Sequence, residues 1–193
     1  MKVALIQQPS SPDRQDNLQR GVDAFRRASQ AGAELIAFPE LSFLRFLPQH
    51  PATAKALAMA EPVPGPTTEI FSSLAREHRA VCVLNLLERD GEKTYDTSPV
   101  IDADGRIAGI VRMAHIMEGP GFHERGFYRP GDRSSLVFET RAGRIGIAIC
   151  SDRHFPEYMR ALALQRAEIV IIPQAGAIGE WPEGIFEAEI RIA

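Results

Sequence analysis

Cysteine is scarce in this sequence: its 193 residues include two, Cys82 and Cys150. The two lie far apart, and no CxxC pair or His/Cys ligand spacing accompanies either of them. In a chain without a signal segment, isolated cysteines of this kind are typical of free thiols. Their scarcity therefore argues against a disulfide framework and against a zinc site.

Long hydrophobic runs are also missing. The first apolar run, Val3 to Ile6, has four residues, whereas a secretory signal needs about 7–15. No run approaches the roughly 20 apolar residues that are needed to cross a bilayer. The sequence therefore predicts a cytoplasmic protein with no membrane partner.

An excess of positive charge is absent as well. Lys plus Arg total 22 against 25 Asp plus Glu, which gives a net charge of −3 without a basic block. This balance argues against a nucleic-acid partner. The hydrophobic content of 45%, with 15 Gly and 14 Pro, excludes a disordered or collagen-like chain. The length supports one domain with a sizeable core, or two small domains at most.

What the sequence does contain is an alternation of strand-like and helix-like segments. The apolar pattern predicts a short buried strand over Lys2 to Gln7, a helix over Asp16 to Gln30 and a second strand over Glu34 to Phe38. This order is typical of a βαβ crossover in a layered α/β protein.

Three strand-like runs follow, over Ala80 to Glu88, Thr94 to Asp102 and Arg106 to Met113. The connections between them contain Asp90-Gly91 and Asp104-Gly105, pairs that favour tight hairpin turns. Strands joined by hairpins run antiparallel, so we expect a mixed sheet.

The second half of the chain continues the alternation. We predict a surface loop over His115 to Asp132, a hairpin of strands over Leu136 to Glu139 and Arg144 to Ile149, a helix over Phe155 to Ala167 and a buried strand over Ile169 to Ile172.

The final segment, Gly184 to Ala193, has the pattern of a helix that stops before a cap. We therefore expect residues 1–193 to form a single domain that is incomplete at its C-terminal end. An edge of its sheet would then be left uncovered.

Cys150 is the first candidate for chemistry. It follows the apolar run Gly146 to Ile149 and begins a turn into the helix predicted from Phe155. A cysteine at such a turn lies near helix N-terminal N–H groups, which favour a thiolate and can hold an oxyanion. The alternative is a buried structural thiol, the role that we expect for Cys82 in its apolar run.

Glu40 is the second candidate, because it directly follows the strand predicted over Glu34 to Phe38. A carboxylate at the carboxyl end of a strand projects into the crevice where α/β sheets bind ligands. Partly desolvated there, it can act as a general base. The alternatives are a solvated loop glutamate and a helix N-cap.

These two segments together carry a family resemblance. Phe38-Pro39-Glu40-Leu41 and the stretch from Ile149 to Glu157 (ICSDRHFPE) resemble motifs of the nitrilase, or carbon–nitrogen hydrolase, superfamily. The similarity extends in order over essentially the whole chain, through segments that begin at Asn85, Tyr95, Arg112, Gly119, Pro130, Gln165 and Pro173.

The resemblance implies a nitrilase-like αββα sandwich with a mixed sheet, four-layered on dimerisation, in a homodimer or higher homo-oligomer. It implies hydrolysis of a small-molecule amide or carbamoyl compound through an acyl-enzyme, with release of ammonia or an amine. Cys150 would be the nucleophile, Glu40 the general base, and Glu124 a second glutamate that helps to position the substrate or the catalytic cation. The backbone N–H of Ser151 would contribute to the oxyanion site. The sequence has no metal, nucleotide or flavin motif, so no cofactor is expected.

One position departs from the family pattern. The lysine that stabilises the tetrahedral intermediate in the family corresponds to Met113, and methionine carries no charge and donates no hydrogen bond. Arg112 is adjacent, but alternation along a strand points it away from Cys150. His115, on the side of Met113 if the strand continues, and Arg153 are the substitute cations that we consider.

Arg153 has a second interpretation. The Asp152-Arg153-His154 segment resembles that of N-carbamoyl amino-acid amidohydrolases, in which an arginine binds a substrate carboxylate, and a bidentate fork suits that task. A surface salt bridge is the alternative.

Two readings compete with the hydrolase. A relative that kept the fold but lost the lysine would be a catalytically impaired binding or scaffold protein. A cysteine hydrolase with His154 or His115 as its base would depend on the histidine rather than on Glu40.

Overall fold

The computed structural model of the protein describes residues 1–132, 135–176 and 182–192. In this part of the chain the helices are α1 (Arg14–Gln30), α2 (Ala54–Leu57), α3 (Pro66–His78), α4 (Pro156–Leu164) and α5 (Ile185–Ile192). The strands are β1 (Val3–Leu5), β2 (Leu35–Ala37), β3 (Val81–Val83), β4 (Leu86–Asp90), β5 (Lys93–Ile101), β6 (Ile107–Arg112), β7 (Glu118–Gly119), β8 (Phe122–His123), β9 (Val137–Thr140), β10 (Gly143–Ile147) and β11 (Ile169–Ile171). Short 3₁₀ turns cover Leu47–Gln49, Glu124–Gly126 and Cys150–His154.

The larger sheet is mixed, as predicted. Strands β1, β2 and β3 run parallel, and α1 forms the crossover from β1 to β2. Strand β5 then runs antiparallel to β3, β4 and β6. The β4–β5 hairpin closes through a two-residue turn that begins at Gly91, whose φ of 59° lies in the left-handed region that glycine adopts without strain. The Asp-Gly prediction of a hairpin is therefore confirmed.

A smaller sheet packs against the larger one. In it β10 pairs antiparallel with β9 and parallel with β11. Side chains from both sheets and from α4, among them Val83, Ile147 and Leu162, share one buried cluster. A second cluster joins α1 and α3 to the outer face of the larger sheet through Phe25, Phe71 and Cys82. The layers therefore follow the order α, β, β, α, and Cys82 is a free thiol in the core.

The prediction of a buried first strand is wrong. Strand β1 spans Val3–Leu5, and the side chains of Val3 and Leu5 are 41% and 73% exposed. The reason is its place in the sheet, because β1 lies at an edge and pairs with β2 alone among the described strands. An apolar run predicts a strand, but its composition does not show whether another layer covers it.

The single strand predicted over Ala80 to Glu88 is also wrong, because two strands occupy that segment. Strand β3 ends at Val83 and β4 begins at Leu86, and both pair with β5. The break turns the Asn85 side chain inward, where it is fully buried and hydrogen-bonded to Leu41 after β2 and to Asp96 and Ser98 in β5. Buried polar groups need hydrogen-bond partners. The bonds of Asn85 meet this need at the point where pairing with β5 passes from β3 to β4.

The surface loop predicted over His115 to Asp132 needs the same kind of correction. It contains the β7–β8 hairpin and a 3₁₀ turn, and Glu124, Phe127 and Tyr128 in it are buried. Its glycines and prolines hide the periodicity that would reveal an inward-facing segment. This correction matters because Glu124 belongs to the candidate active site described below.

The remaining predictions agree with the structure within a few residues. The β9–β10 hairpin, β11, α4 and α5 all form where their patterns place them. No helix in the described ranges is both long and apolar enough to span a membrane. The cytoplasmic location, the oligomeric state and the incomplete domain stay predictions.

Gly109 sets the close approach of the two sheets and provides a test of their packing. A Cβ atom on Gly109 would lie 2.1 Å from the Phe138 ring of β9. We expect Gly109→Ala to lower the free energy of unfolding by about 1–3 kcal/mol through overpacking. Urea denaturation measures the change.

The control is Gly119→Ala in β7, where an added Cβ has no atom within 4 Å. Shortening the opposing ring by Phe138→Leu should recover part of the loss in the double variant. Equal destabilisation by the two alanines would contradict the packing explanation.

Candidate active site

Cys150 lies where β10 gives way to the 3₁₀ turn Cys150–His154. Its φ of 45° is left-handed, which is costly for a residue with a side chain, and its side chain is buried. Two contacts hold this conformation. The Cys150 N–H donates to the Pro173 carbonyl at 2.9 Å, and Arg153 donates from its guanidinium to the Cys150 carbonyl at 2.7 Å. The sulfur therefore lies at a sharp turn that two hydrogen bonds hold in place.

Glu40 follows β2 and is 4% exposed. The Ala175 N–H donates to Glu40 Oε2 at 2.8 Å, and the Glu40 carboxyl lies within 4.8 Å of the Cys150 sulfur. The next residue, Leu41, has a φ of 46°, and its N–H donates to the Asn85 side chain at 2.7 Å. The structure thus brings the two sequence candidates into direct contact.

Glu124 completes the group. It begins the 3₁₀ turn after β8, is fully buried and accepts a 2.8 Å hydrogen bond from the Met117 N–H. One donor atom from each of Glu40, Glu124 and Cys150 lies within 4.8 Å of the other two. In the part of the chain that the structure describes, this is the one cluster of three such side chains that could hold a metal ion. The expectation that no metal is required stays a prediction.

Asp96, in the middle of β5, is a member of the site that the sequence analysis missed. Its side chain is fully buried, accepts a hydrogen bond from the Asn85 amide at 2.5 Å and shares another with Glu40. The signal that could have found it is the run of polar residues Asp96-Thr97-Ser98 inside the strand predicted over Thr94 to Asp102. Polar residues in a strand usually face solvent, so this signal alone does not distinguish a buried site from an exposed face.

The contact between Glu40 and Asp96 requires a proton. Burial raises the pKa of Glu40 from 4.5 to about 7, and the nearby Glu124 charge adds to the rise. Burial and the Glu40 charge raise the pKa of Asp96 well above its usual range. Two adjacent carboxyls cannot both ionise readily, so Asp96 holds the proton and donates to Glu40. Glu40 is left as the group that ionises near neutral pH.

The Cys150 thiol is neutral at rest. Burial, followed by the charges of Glu40 and Glu124, raises its pKa well above the usual 9. Burial and these charges therefore oppose the thiolate that N–H groups of the following helix are expected to favour. Carboxyls surround the sulfur, and position 113 adds no compensating cation. The thiol must lose its proton during attack rather than before it.

Met113 occupies the lysine position and is fully buried. Its N–H donates to the Asp96 carbonyl and its carbonyl accepts from Gly131, both at 2.9 Å, and its side chain belongs to the same apolar cluster as Cys150. Arg112 points elsewhere, since its guanidinium donates to Glu88 and Asp90. The prediction that Arg112 faces away from Cys150 agrees with these contacts.

His115 is held away from a catalytic task. Its Nδ1 lies 2.7 Å from Asp152 Oδ1, and its ring stacks on Phe155 with the centroids 3.6 Å apart. Asp152 also accepts from the backbone N–H groups of Ala114, His115 and Ile149, which ties the nucleophile turn to the end of β6. His154 pairs through its Nδ1 with Glu189 at 2.7 Å. Cys150 is paired with Glu40, and these contacts argue against a Cys–His pair.

Ser151 and Arg153 flank the nucleophile. Both are buried, and for Arg153 this burial argues against the surface location of the salt bridge considered above. The Ser151 hydroxyl donates to the His115 carbonyl, which fixes the turn that carries its backbone N–H. Arg153 donates to the Cys150 carbonyl. Both residues therefore stabilise the corner at Cys150.

Comparison with known proteins agrees with this geometry. Residues 2–190 match the model of the carbon-nitrogen hydrolase family. The chain is 34% identical to a citrullinase of Francisella tularensis over 184 residues, covering 94% of this chain and 63% of the relative. It is 36% identical to an N-carbamoylputrescine amidase of Solanum lycopersicum over 182 residues, covering 94% and 60%. The chain thus spans less than two thirds of the length of these relatives.

A solved structure shows the same fold. A carbon-nitrogen hydrolase from Helicobacter pylori G27 superposes with a TM-score of 0.88 at 25% sequence identity. The match covers 98% of this chain and 67% of the other. The predicted nitrilase-like αββα architecture is therefore confirmed.

The raised pKa of Glu40 predicts a pH-dependent stability. Because the folded protein binds this proton more tightly than the unfolded chain, stability from Glu40 is present below pH 4.5 and is lost as the pH rises to about 7. Glu40→Gln lacks this loss. We therefore expect Glu40→Gln to gain stability relative to the wild type between pH 5 and 8, as measured by urea midpoints.

Glu92→Gln, at an exposed position in the β4–β5 turn, is the control, and we expect its midpoints to follow those of the wild type. A constant difference between Glu40→Gln and the wild type across this range would show that the Glu40 pKa is not raised by folding.

Proposed function

Because the chain belongs to the carbon-nitrogen hydrolase family, we propose that this protein hydrolyses the C–N bond of a small amide or N-carbamoyl compound. The observation that carries the proposal is the close approach of the Cys150 sulfur and the buried Glu40 carboxyl, which lie within 4.8 Å of each other. That carboxyl has a pKa of about 7, the value that suits a general base at neutral pH.

The first half of the reaction forms a thioester. Glu40 takes the thiol proton while the Cys150 sulfur attacks the substrate carbonyl carbon, which gives a tetrahedral intermediate with a negative oxygen. The Ser151 N–H donates to that oxygen. The C–N bond then breaks, and the leaving ammonia or amine takes the proton from Glu40.

The second half returns the enzyme to its starting state. Glu40 takes a proton from a water molecule, and the hydroxide formed attacks the thioester carbonyl. The C–S bond breaks, the acid product leaves, and the sulfur recovers its proton from Glu40. Asp96 keeps its own proton throughout, because its role is to hold the Glu40 carboxyl in place.

Glu124 orients the substrate in this proposal. Its Oε2 is fixed by the Met117 N–H, and a carboxylate within 4.8 Å of the nucleophile accepts a hydrogen bond from the substrate nitrogen. Its second effect is electrostatic, since its charge helps to keep Glu40 basic.

The substrate class is proposed from the relatives. The name N-carbamoylputrescine amidase specifies an N-carbamoyl substrate, and an Arabidopsis thaliana relative is named for a ureido compound. The proposed carboxylate-binding task of Arg153 has weaker support, because its guanidinium donates to the Cys150 carbonyl. We assign Arg153 to holding the nucleophile turn. On the family resemblance we also propose a homodimer or higher homo-oligomer, which light scattering measures.

One observation favours a second candidate function. Met113 removes the charged donor of the family, so a protein that binds such compounds without hydrolysing them would show the same fold. In that case the wild type binds but releases no ammonia, and Met113→Lys gains activity.

The test is ammonia release from a panel of N-carbamoyl amino acids, N-carbamoyl amines and aliphatic amides. We expect turnover by the wild type and none by Cys150→Ala, because the nucleophile is gone. Glu40→Gln should lower kcat by about 10²–10⁴-fold through loss of the base. Parallel reactions with EDTA test the metal-free prediction.

Cys82→Ala is the matched control, since Cys82 is equally buried but lies on the opposite side of the larger sheet. It should lose some stability and keep the rate per folded molecule. Undiminished ammonia release by Cys150→Ala would overturn the proposed mechanism. A silent wild type with an active Met113→Lys would establish the binding protein instead.

A further inference from the structure

Without the family lysine, the proposed reaction has one hydrogen-bond donor fewer to stabilise the oxyanion of its intermediate. A tetrahedral intermediate carries a full negative charge on oxygen, and removing one donor to such an oxyanion typically slows an enzyme by about 10²–10³-fold. Met113 supplies a thioether at this position, which donates nothing. If the protein is a hydrolase, another group near Cys150 must donate in its place.

Tyr128 has the features of that group. Its side chain is 2% exposed, and its hydroxyl has no hydrogen-bond partner among the described residues. A buried hydroxyl without a partner lowers stability, so such a group in a folded protein points to a ligand that completes it. The other buried tyrosine near the site, Tyr158, differs in that its hydroxyl donates to the Ile147 carbonyl at 3.2 Å.

The backbone holds Tyr128 beside the candidate active site. Its N–H donates to the Glu124 carbonyl at 2.8 Å, so it lies one turn after a residue of the site. On either side, the Phe127 carbonyl accepts from the Thr94 hydroxyl, and the Arg129 N–H donates to the Thr94 carbonyl. These bonds tie the segment to β5 two residues from Asp96. The Tyr128 side chain packs in the same cluster as Met113 and Cys150.

The surroundings of the hydroxyl keep it protonated. After burial, the nearby ionisable groups that raise the pKa of Tyr128 well above 10 are Asp96, Glu40, Glu124 and Cys150. All four are members of the site, so the hydroxyl lies within electrostatic reach of the whole group. A neutral O–H remains a hydrogen-bond donor.

We propose that the Tyr128 hydroxyl donates a hydrogen bond to the oxyanion of the tetrahedral intermediate and so takes over the task of the missing lysine. This inference rests on the proposed function. The O–H bond of Tyr128 stays intact throughout, because the hydroxyl stabilises the charge on the substrate oxygen and transfers no proton. Tyr128 is then a catalytic residue of this protein, together with Cys150 and Glu40.

The competing donors are engaged in other contacts. The Arg112 guanidinium donates to Glu88 in β4, and Arg153 donates from Nη1 to the Cys150 carbonyl. His115 is bound to Asp152 and stacked on Phe155. Tyr128 combines burial beside the site with a hydroxyl that no described group accepts from or donates to.

The experiment compares Tyr128→Phe, Tyr158→Phe and Tyr128→Phe with Met113→Lys in ammonia release and thermal unfolding. Tyr128→Phe should lower kcat by about 10²–10³-fold with little change in KM, because the bond forms only in the transition state. Its Tm should stay level or rise, since the change removes an unpartnered hydroxyl. Tyr158→Phe should do the reverse, with a lower Tm and an unchanged kcat.

Met113→Lys should recover most of the kcat lost in Tyr128→Phe, because it restores a donor to the same oxygen. Wild-type kcat in Tyr128→Phe would overturn this inference while leaving the proposed function standing. A lowered Tm with a kcat loss that lysine does not recover would assign Tyr128 a structural role and overturn it too. A wild type as silent as Cys150→Ala would instead refute the proposed function.

Discussion

The contact between protonated Asp96 and the Glu40 carboxyl is the interaction on which the rest of the site depends. Two carboxyls in hydrogen-bond contact inside a protein would repel each other if both were charged. Because Asp96 keeps its proton, it holds Glu40 through a hydrogen bond and lets that group alone ionise near neutral pH. Asn85 then fixes Asp96, and through Leu41 it also fixes the chain that leaves β2. The break between β3 and β4 exists to make this network.

The resting site is built for attack by a neutral thiol. A lysine beside Cys150 would lower the thiol pKa and compensate the carboxyl charges, whereas Met113 does neither. The sulfur of Cys150 instead holds its proton until Glu40 removes it during the attack. In this arrangement a neutral donor such as the Tyr128 hydroxyl suits the site, because it stabilises the oxyanion without shifting the Glu40 pKa down. In this proposal the tyrosine hydroxyl supplies the hydrogen-bond donor that Met113 lacks.

Several of these features could be predicted from the sequence and others could not. Apolar periodicity and Asp-Gly turns establish a mixed sheet, because both act over a few residues. Cys150 and Glu40 stand out because each follows a strand. Glu124 emerged through family resemblance alone, since its segment has the composition of a surface loop. Asp96 was missed because a polar run in a strand has the same composition whether it faces water or a buried site. The exposure of β1 depends on what covers it, which no local pattern encodes.

The stretch from Pro173 to Ala175 links the two reacting groups. The Pro173 carbonyl accepts from the Cys150 N–H, and the Ala175 N–H donates to Glu40. The nucleophile and the base are therefore both hydrogen-bonded to the same three-residue stretch. This makes it a poor place for evolution to alter substrate preference, because a shift there would disturb attack and proton transfer together. Selection for new substrates should instead act on the β7–β8 hairpin, which borders Glu124 but bonds to neither group. Diversity among descendants of this protein should therefore concentrate on the hairpin beside Glu124.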